Sequence, residues 1–336
     1  MLSGMSAIYL KQIIITGLFG YKNLSWDVYE DVNILGGDNG SGKSTVFQIC
    51  HSLIVAGYIR DARYARLVDK VTLVFSNGYS LMWEKQRMVP TMVREAGYSY
   101  FNIGNGKVEK DGSVEIQRVK ATDEQGNIKE PSSIVNNVGS SLLSSFDQTI
   151  LDSQKITGEK ENNDRTYLDK LLTSYISYRN SRVSQILINS LSRGEQDGES
   201  ERGHRVTISG KDAQYIILFN EALKDFFGEN YQIKAGMESQ ITMISKKTNE
   251  EIAYQDLSLG EKEMLLLIVF ISNTYDEPVL VWLDEPDLGL HVDWQENLIA
   301  CLRRLNPNIQ LFVSTHAPSM VEGNQERVKE MSEITQ

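Results

Sequence analysis

The sequence is poor in the residues that build disulfide frameworks and metal clusters. Its 336 residues include only two cysteines, Cys50 and Cys301, and four histidines. Both cysteines lie in apolar stretches of helical spacing, which favours buried thiols over a disulfide or a metal site. The histidines are too scattered for a metal cluster. We therefore expect an apolar core to hold the fold together, and 41% apolar residues can supply one.

Long apolar runs and an excess of positive charge are also missing. No apolar segment approaches the roughly 20 residues of a membrane-spanning helix, and the first residues lack the basic flank and apolar stretch of a secretory signal. We therefore expect a soluble, cytoplasmic protein with no membrane partner. The net charge of -11 argues against a diffuse basic coat for nucleic acid. Any contact with DNA must come from a local patch.

A glycine-rich segment is the most specific feature of the chain. Residues 37–44 match the pattern G-x-x-x-x-G-K-[ST] at every fixed position. The apolar residues before the segment predict a buried strand, and those after it predict a helix. In such a loop backbone N–H groups surround phosphate oxygens, Lys43 neutralises their charge and Ser44 holds Mg²⁺. The predicted nucleotide contacts are Gly37, Asp38, Asn39, Gly40, Ser41, Gly42, Lys43, Ser44 and Thr45.

Antiparallel strands are predicted on both sides of this loop. Residues 8–16 and 24–28 are predicted to pair, and residues 71–75 and 79–83 flank an Asn-Gly hairpin signal. The alternation of strands and turns continues to about Val119. We therefore expect a small antiparallel subdomain.

Two features near the loop leave alternatives open. Phe19 and Tyr21 are either packing residues at a turn, which is the commoner role, or a platform for an adenine ring. Arginine recurs at every third position of residues 60–66. This run is either a contact for the phosphates of DNA or of a nucleotide, or a solvated face with salt bridges.

The middle of the chain is polar. Apolar residues in helical spacing within residues 166–191 predict a projecting helical insertion, a lid or a partner arm, followed by a loop. Residues 212–227 predict an amphipathic helix with Asp212 as N-cap and Gly228 as stop. Two short strands are predicted within residues 231–245.

Ser258 and Gly260 begin another apolar helix. A serine hydroxyl, a glycine amide and a helix N-terminus together can bind an anion. Taken alone, the Ser-Leu-Gly-Glu segment more often makes an N-cap with no ligand. The later motifs decide between these alternatives.

Carboxylates and a histidine follow two apolar strands near the end of the sequence. Asp284 and Glu285 close residues 279–285, and His316 follows residues 310–315. Parallel strands place their carboxyl ends at one edge of a sheet, the edge where a phosphate loop also lies. There Asp284 can orient Mg²⁺, Glu285 can act as general base, and His316 can bond the γ-phosphate.

The four motifs follow the order found in ABC-type ATPases. They resemble the Walker A, signature, Walker B and switch-histidine motifs of that class, in residues 37–44, 257–261, 284–286 and 316. Within the class the chain resembles the RecF/SMC/OLD group, especially the small defence-associated ATPases of the Septu (PtuA-like) and OLD-like systems. This similarity is carried by residues 39–45, 284–291 and 314–318.

The resemblance implies an α/β fold. A P-loop NTPase with an ABC-type head is expected, with a mixed central sheet flanked by helices, an antiparallel β subdomain and a helical insertion. The expected divisions are an N-terminal lobe at residues 1–153, the insertion at 154–211 and a C-terminal lobe at 212–336.

The resemblance also implies roles for single residues. Lys43 and Ser44 would bind the phosphates and magnesium of ATP, Asp284 would support the metal, Glu285 would activate water and His316 would contact the γ-phosphate. Gln148 is the expected Q-loop glutamine, catalytic and metal-contacting, with Gln154 as its rival.

In this family the signature contacts a nucleotide held by another subunit. Ser258, Gly260 and Glu261 would therefore complete the partner's ATP site, which implies a homodimer or a higher even oligomer. The signature has Leu259 where transporters usually have glycine. His291, followed by Val292 where related chains often have proline, would lie in the dimer-facing D-loop; a role at the start of a helix is the alternative.

The function expected from the resemblance is an ATP-hydrolysing switch. It would regulate a separate effector, a nuclease, in DNA-linked or anti-phage defence. The alternatives are the ATPase subunit of a membrane transporter and an ATP-gated DNA tether without turnover. The long stretch between Thr45 and Leu257 and the sequence of residues 287–291 favour the first interpretation over a transporter.

Overall fold

The computed structural model describes residues 7–89, 98–103, 108, 111–144, 167–194, 210–234, 241–274 and 276–336. The strands are β1 Leu10–Leu18, β2 Lys22–Asp27, β3 Val32–Gly36, β4 Lys70–Phe75, β5 Ser80–Met88, β6 Ser99–Asn102, β7 Val114–Thr122, β8 Ile128–Lys129, β9 Gly139–Ser144, β10 Tyr231–Lys234, β11 Thr242–Ser245, β12 Glu251–Ile252, β13 Val279–Asp284, β14 Gln310–Ser314 and β15 Val328–Glu330. The helices are α1 Lys43–Ala56, α2 Ala62–Arg66, α3 Ser132–Val135, α4 Tyr167–Gly194, α5 Gly210–Phe227, α6 Leu259–Thr274, α7 Val292–Leu305, α8 Pro318–Val321 and α9 Met331–Ile334.

The chain divides into two compact units that are interleaved along the sequence. The first comprises Met1–Ser144, Pro278–Pro286 and Asn308–Gln336, and the second comprises Ser145–Glu277 and Asp287–Pro307. Division into the consecutive segments 1–153, 154–211 and 212–336 does not describe this interleaving.

A parallel sheet forms the centre of the first unit. Its strand order is β15-β3-β14-β13-β9, and all four pairings are parallel. β3 and β14 are buried along their whole length, as is β13 beyond Val279. Such strands have near-continuous apolar sequences because helices or another sheet cover both faces. Three buried strands were predicted, one before the phosphate loop, one before Glu285 and one before His316. All three are confirmed.

The register of this sheet aligns the carboxyl ends of its strands. Asp284 pairs with Ser314 on one side and with Ser144 on the other, and Ser314 pairs with Leu35. These four residues form one row across β3, β14, β13 and β9. The loops that follow β3, β13 and β14 therefore leave the sheet at one edge.

An antiparallel sheet is the second sheet of the first unit. Its order is β2-β1-β4-β5-β7-β6, with β8 paired to β7. The predicted pairing of the first two strands and the hairpin of β4 and β5 are confirmed. Trp26 packs edge-on against Phe312, with ring centroids 5.8 Å apart, and Phe312 stacks on Trp282 at 4.0 Å. One apolar core therefore joins the two sheets.

Helices and a small sheet form the second unit. α6 packs against α4, α5 and α7, and its apolar residues from Met264 to Ile271 are all buried. The order β10-β11-β12 makes a three-stranded antiparallel sheet. The predicted strands at β10 and β11 are confirmed, and β12 is an addition.

Two predicted helices of the second unit can be compared with α4 and α5. The predicted helix at 166–191 corresponds to α4. α5 ends at Phe227, before Gly228, as predicted, but it begins at Gly210. Asp212 as N-cap was therefore wrong: it lies in the first turn, where a carboxylate interacts favourably with the helix dipole. None of the helices in the described ranges is long and apolar enough to cross a membrane.

Candidate functional site

The phosphate loop joins β3 to α1 through backbone conformations that favour glycine. Gly37, Gly40 and Gly42 have φ values of 134°, 75° and 112°. Gly42 is the N-cap of α1 and offers no side chain to the N–H groups of the first turn. Ser41 Oγ is buried and has no hydrogen-bond partner within the described part of the chain. The loop thus leaves donors available to an anion, as a phosphate site requires.

Lys43 lies inside this loop with 4% of its surface exposed. Its Nζ donates to the carbonyl oxygens of Gly37, at 2.7 Å, and Asp38, at 3.3 Å. Burial lowers the pKa of Lys43, and the charges of nearby carboxylates, with Glu285 and Asp284 foremost, oppose that effect. The ammonium is a compact positive charge at the centre of the loop.

His316 follows β14 and meets Lys43 directly. Lys43 Nζ is 2.7 Å from His316 Nε2. An ammonium group can only donate, so His316 Nε2 is the acceptor in this contact. His316 Nε2 also lies 3.7 Å from Glu285 Oε1. The structure therefore brings together three side chains that are distant in sequence.

Asp284 ends β13 with its carboxylate buried beside Ser44. Ser44 Oγ donates to Oδ1 of Asp284 at 2.9 Å, and Ser314 Oγ donates to the same oxygen at 2.5 Å. Ser144 Oγ lies 3.5 Å from Oδ2. A hydroxyl and a carboxylate at the edge of a phosphate loop fit Mg²⁺, which proteins usually bind through one or two carboxylates together with substrate phosphates.

Glu285 has a backbone conformation that is unusual for a residue other than glycine. Its φ is 52°, and its N–H donates to the carbonyl oxygen of Ser314 at 3.0 Å and lies 3.1 Å from Ser314 Oγ. Left-handed backbone at such a residue costs about 1 kcal/mol or more and persists where neighbours fix it. The bonds to Ser314 fix it here.

The structure adds two residues that the sequence analysis missed. Ser314 and Ser144 bond Asp284 and belong to the same row of the sheet. Ser314 is the last residue of an apolar strand, as Asp284 is, and this position was an available signal. Ser144 ends β9, which had no strand signal because serines interrupt its sequence.

The signature residues belong to the second unit. The N–H and Oγ of Ser258 donate to Glu261 Oε2 at 2.9 and 2.7 Å, as in a capping box at the start of α6. The N-cap interpretation therefore describes the contacts of Ser258. Leu259 and Leu288 are exposed by 49% and 41%, which is high for leucine.

The remaining candidates are the two glutamines, His291 and the two aromatic residues near the phosphate loop. Gln148 and Gln154 lie outside the described residues. His291 is the N-cap of α7 and is exposed, with Nδ1 accepting the N–H of Asp293 at 3.4 Å. Tyr21 is 72% exposed, whereas Phe19 packs on the phosphate loop, since a Cβ on Gly42 would lie 2.8 Å from its ring.

The arginine run, residues 60–66, consists of α2 and the two residues before it. Asp61 caps this helix and also pairs with Arg63 at 2.6 Å. Arg60 and Arg66 are exposed. Among the described residues, a salt bridge of this run is therefore seen at Arg63.

Comparison with known proteins identifies a matching family model and several relatives. The family model described as "AAA domain, putative AbiEii toxin, Type IV TA system" matches residues 32–322. The "Retron Vc95 probable ATPase" of Vibrio cholerae serotype O1 biovar El Tor is 28% identical over 142 residues, which are 38% of this chain and 28% of that protein. The Septu protein PtuA of Bacillus thuringiensis is 21% identical over 334 residues, 94% of this chain and 73% of PtuA.

A solved structure shows the same fold. It is the "Crystal structure of the SmcHead bound to the C-winged helix domain of ScpA", with a TM-score of 0.51, 14% identity and coverage of 93% of this chain and 91% of that chain. The resemblance to SMC-type heads and to defence-associated ATPases is confirmed. The fold is thus a P-loop nucleotide-binding head, and because the family model spans most of the sequence, the chain belongs to this AAA domain family.

Proposed function

We propose that the protein is an ATPase whose site lies at the carboxyl edge of the parallel sheet. The observation that carries this proposal is the meeting of Lys43, His316 and Glu285 beside the Ser44–Asp284 pair. A phosphate loop alone would suit many nucleotide-binding proteins. The added carboxylates and histidine are what phosphoryl transfer to water needs.

Each side chain has a distinct part in this reaction. Residues 37–45 bind the phosphates through backbone N–H groups and Lys43. Ser44 and Asp284 would hold Mg²⁺, which neutralises charge on the phosphate oxygens when bound. Glu285 takes the proton of the attacking water. His316 bonds the γ-phosphate through a ring N–H once its contact with Lys43 is exchanged.

A second copy of the chain would complete the site. Ser258, Gly260 and Glu261 lie at the end of α6 where Leu259 is exposed. Apolar side chains exposed at Leu288 and Val292, near His291, suit a surface that another subunit covers. ATP held between two copies would thus join them as a dimer.

The biological role is a switch for a separate effector. The names of the retron and Septu relatives support a place in defence, and a nuclease is the effector that we propose, with DNA as its target and the cytoplasm as its location. In the described residues there is no group of three or more His, Cys, Asp or Glu that could hold a metal ion. We place the proposed cutting activity in another polypeptide.

Two variants test the ATPase proposal. Lys43→Ala removes the charge at the centre of the loop and should abolish ATP binding. Glu285→Gln retains shape but cannot take a proton, so it should bind ATP and hydrolyse it at least about a hundredfold more slowly. Binding is measured by calorimetry, turnover by phosphate release, and mass by light scattering with ATP.

The results separate the alternatives. Turnover by Glu285→Gln equal to that of the wild type would contradict the role of Glu285. ATP-dependent dimers without turnover in the wild type would instead support a DNA tether. Equal mass with and without ATP, for wild type and Glu285→Gln alike, would contradict an ATP-joined dimer.

A further inference from the structure

The phosphate loop is preceded by a glycine that its motif does not require. The pattern begins at Gly37, yet Gly36 comes before it. A Cβ on Gly36 would lie 2.3 Å from Oε1 of Glu330 and 2.8 Å from its carboxyl carbon. A side chain at this position would have to displace the carboxylate of Glu330, so glycine leaves that carboxylate in place. That carboxylate lies directly against the backbone that leads into the loop.

Backbone pairing and a helix cap both hold Glu330 at this place. β15 runs parallel to β3 with Glu330 opposite Gly36. The carboxylate accepts the N–H of Glu333 in a reciprocal capping box at the start of α9. The next residue, Met331, is buried, and its Cβ would lie 3.1 Å from a Cβ on Gly37. The negative charge is therefore fixed beside the loop, although the side chain is on the surface.

This charge is close to the lysine that would neutralise phosphate. Lys43 Nζ donates to the carbonyl oxygen of Gly37, the residue that follows Gly36. Burial lowers the pKa of Lys43, and Glu330 is among the carboxylates whose charge opposes that effect. A carboxylate that acts on Lys43 also acts on any anion that Lys43 binds.

We propose that Glu330 weakens nucleotide binding at the phosphate loop and so sets the ATP concentration at which the site fills. The proposal rests on the proposed function, in which residues 37–45 bind the phosphates. Repulsion between the carboxylate and the phosphates grows with the charge of the nucleotide. Glu330 therefore penalises ATP more than ADP, and its removal increases the preference for ATP.

A purely structural role, the capping of α9, would also place a glutamate here. Glu330→Asn tells the two apart because asparagine caps helices well but carries no charge. Glu330→Asp keeps both the charge and a capping side chain. Glu333→Gln is the matched control, since it removes an equal charge from the other half of the same capping box.

Calorimetric titration with ATP and with ADP, at low and at high salt, provides the measurement. Glu330→Asn should bind ATP about threefold to tenfold more tightly at low salt, with a smaller gain for ADP and a smaller gain at high salt. Glu330→Asp should stay close to the wild type. Glu333→Gln should change ATP affinity less than about twofold. Thermal unfolding checks that all variants are folded.

Two results would overturn the proposal. One is unchanged or weaker ATP binding by folded Glu330→Asn, and the other is an equal gain in Glu333→Gln. Lys43→Ala in the same titration keeps this proposal apart from the proposed function. ATP binding that survives Lys43→Ala contradicts the site itself, whereas loss in Lys43→Ala with no gain in Glu330→Asn contradicts only the role of Glu330.

Discussion

A Cβ on Gly260 would lie 2.2 Å from the carbonyl oxygen of Gly289, so the two backbones touch where α6 begins. Gly289 has a φ of 82° and belongs to a turn that leads into α7. Gln295 Nε2 donates to the carbonyl oxygens of Asp287, at 3.1 Å, and Leu290, at 3.0 Å. The turn is thus held by its contact with Gly260 and by the hydrogen bonds from Gln295. The signature segment and this turn therefore pack together.

Gly260→Ala should separate signature function from ATP binding. The added methyl group forces the turn away from α6, with an expected loss of about 1–3 kcal/mol in the free energy of unfolding. We expect ATP affinity within about twofold of the wild type and turnover at least about tenfold lower, because the displaced segments are those proposed to face the partner. Calorimetry and phosphate release measure the two quantities.

A matched control is available for this substitution. Gly210 also lies at the start of a helix, and a Cβ there would meet nothing within 4 Å. Gly210→Ala should therefore leave turnover unchanged. Wild-type turnover in Gly260→Ala would show that the contact with Gly289 has no part in activity.

Glu263 gives the fold a dependence on pH. It lies in α6 with 4% of its surface exposed, and its Oε2 has no hydrogen-bond partner within the described ranges. Burial raises the pKa of Glu263 from 4.5 to about 7. The folded protein therefore retains a proton that the unfolded chain releases. The contribution of Glu263 to the free energy of unfolding falls as the pH rises between these two values and is level above them.

Glu263→Gln should remove this dependence. Glutamine has nearly the same shape and does not ionise, so the variant should be more stable than the wild type above neutral pH, by up to about 3 kcal/mol. Urea unfolding between about pH 5 and pH 8 measures the difference. Glu296→Gln, at an exposed position of α7, is the control and should follow the wild type. Parallel curves for wild type and Glu263→Gln would contradict a raised pKa.

The sequence predicted the edge of the parallel sheet because its central strands are buried on both faces. β3, β13 and β14 are short apolar runs, and the residues that follow them had to leave the sheet together. Neither β9 nor β15 gave such a signal, because both are edge strands of this sheet, where polar residues are tolerated. Ser144 and Glu330 escaped sequence analysis for that reason.

Local sequence patterns also could not predict contacts between residues that are distant in sequence. Ser314 fixes the left-handed backbone of Glu285, and no sequence rule assigns a positive φ to a glutamate. The interpretation of Gly260 as an anion-binding amide stays a prediction, and the structure adds a backbone contact with Gly289 that leaves no room for a side chain. Asp212 looked like an N-cap because capping residues are recognised by type, and the helix begins earlier.

Mixed oligomers give the last prediction, which tests whether two copies share each site. Ser258→Arg should bind ATP but fail to hydrolyse it, because arginine would fill the position proposed for the partner's γ-phosphate. Lys43→Ala has a phosphate loop without its lysine, but its signature is intact. A dimer of the two variants contains one complete site, so mixing two inactive proteins should restore about a quarter of wild-type turnover if subunits assort freely.

A mixture of Ser258→Arg with Gly260→Ala is the control, since both are damaged in the signature, and it should show no gain over its separate components. Folded variants that exchange subunits yet regain no activity would mean that each chain hydrolyses ATP with its own residues alone.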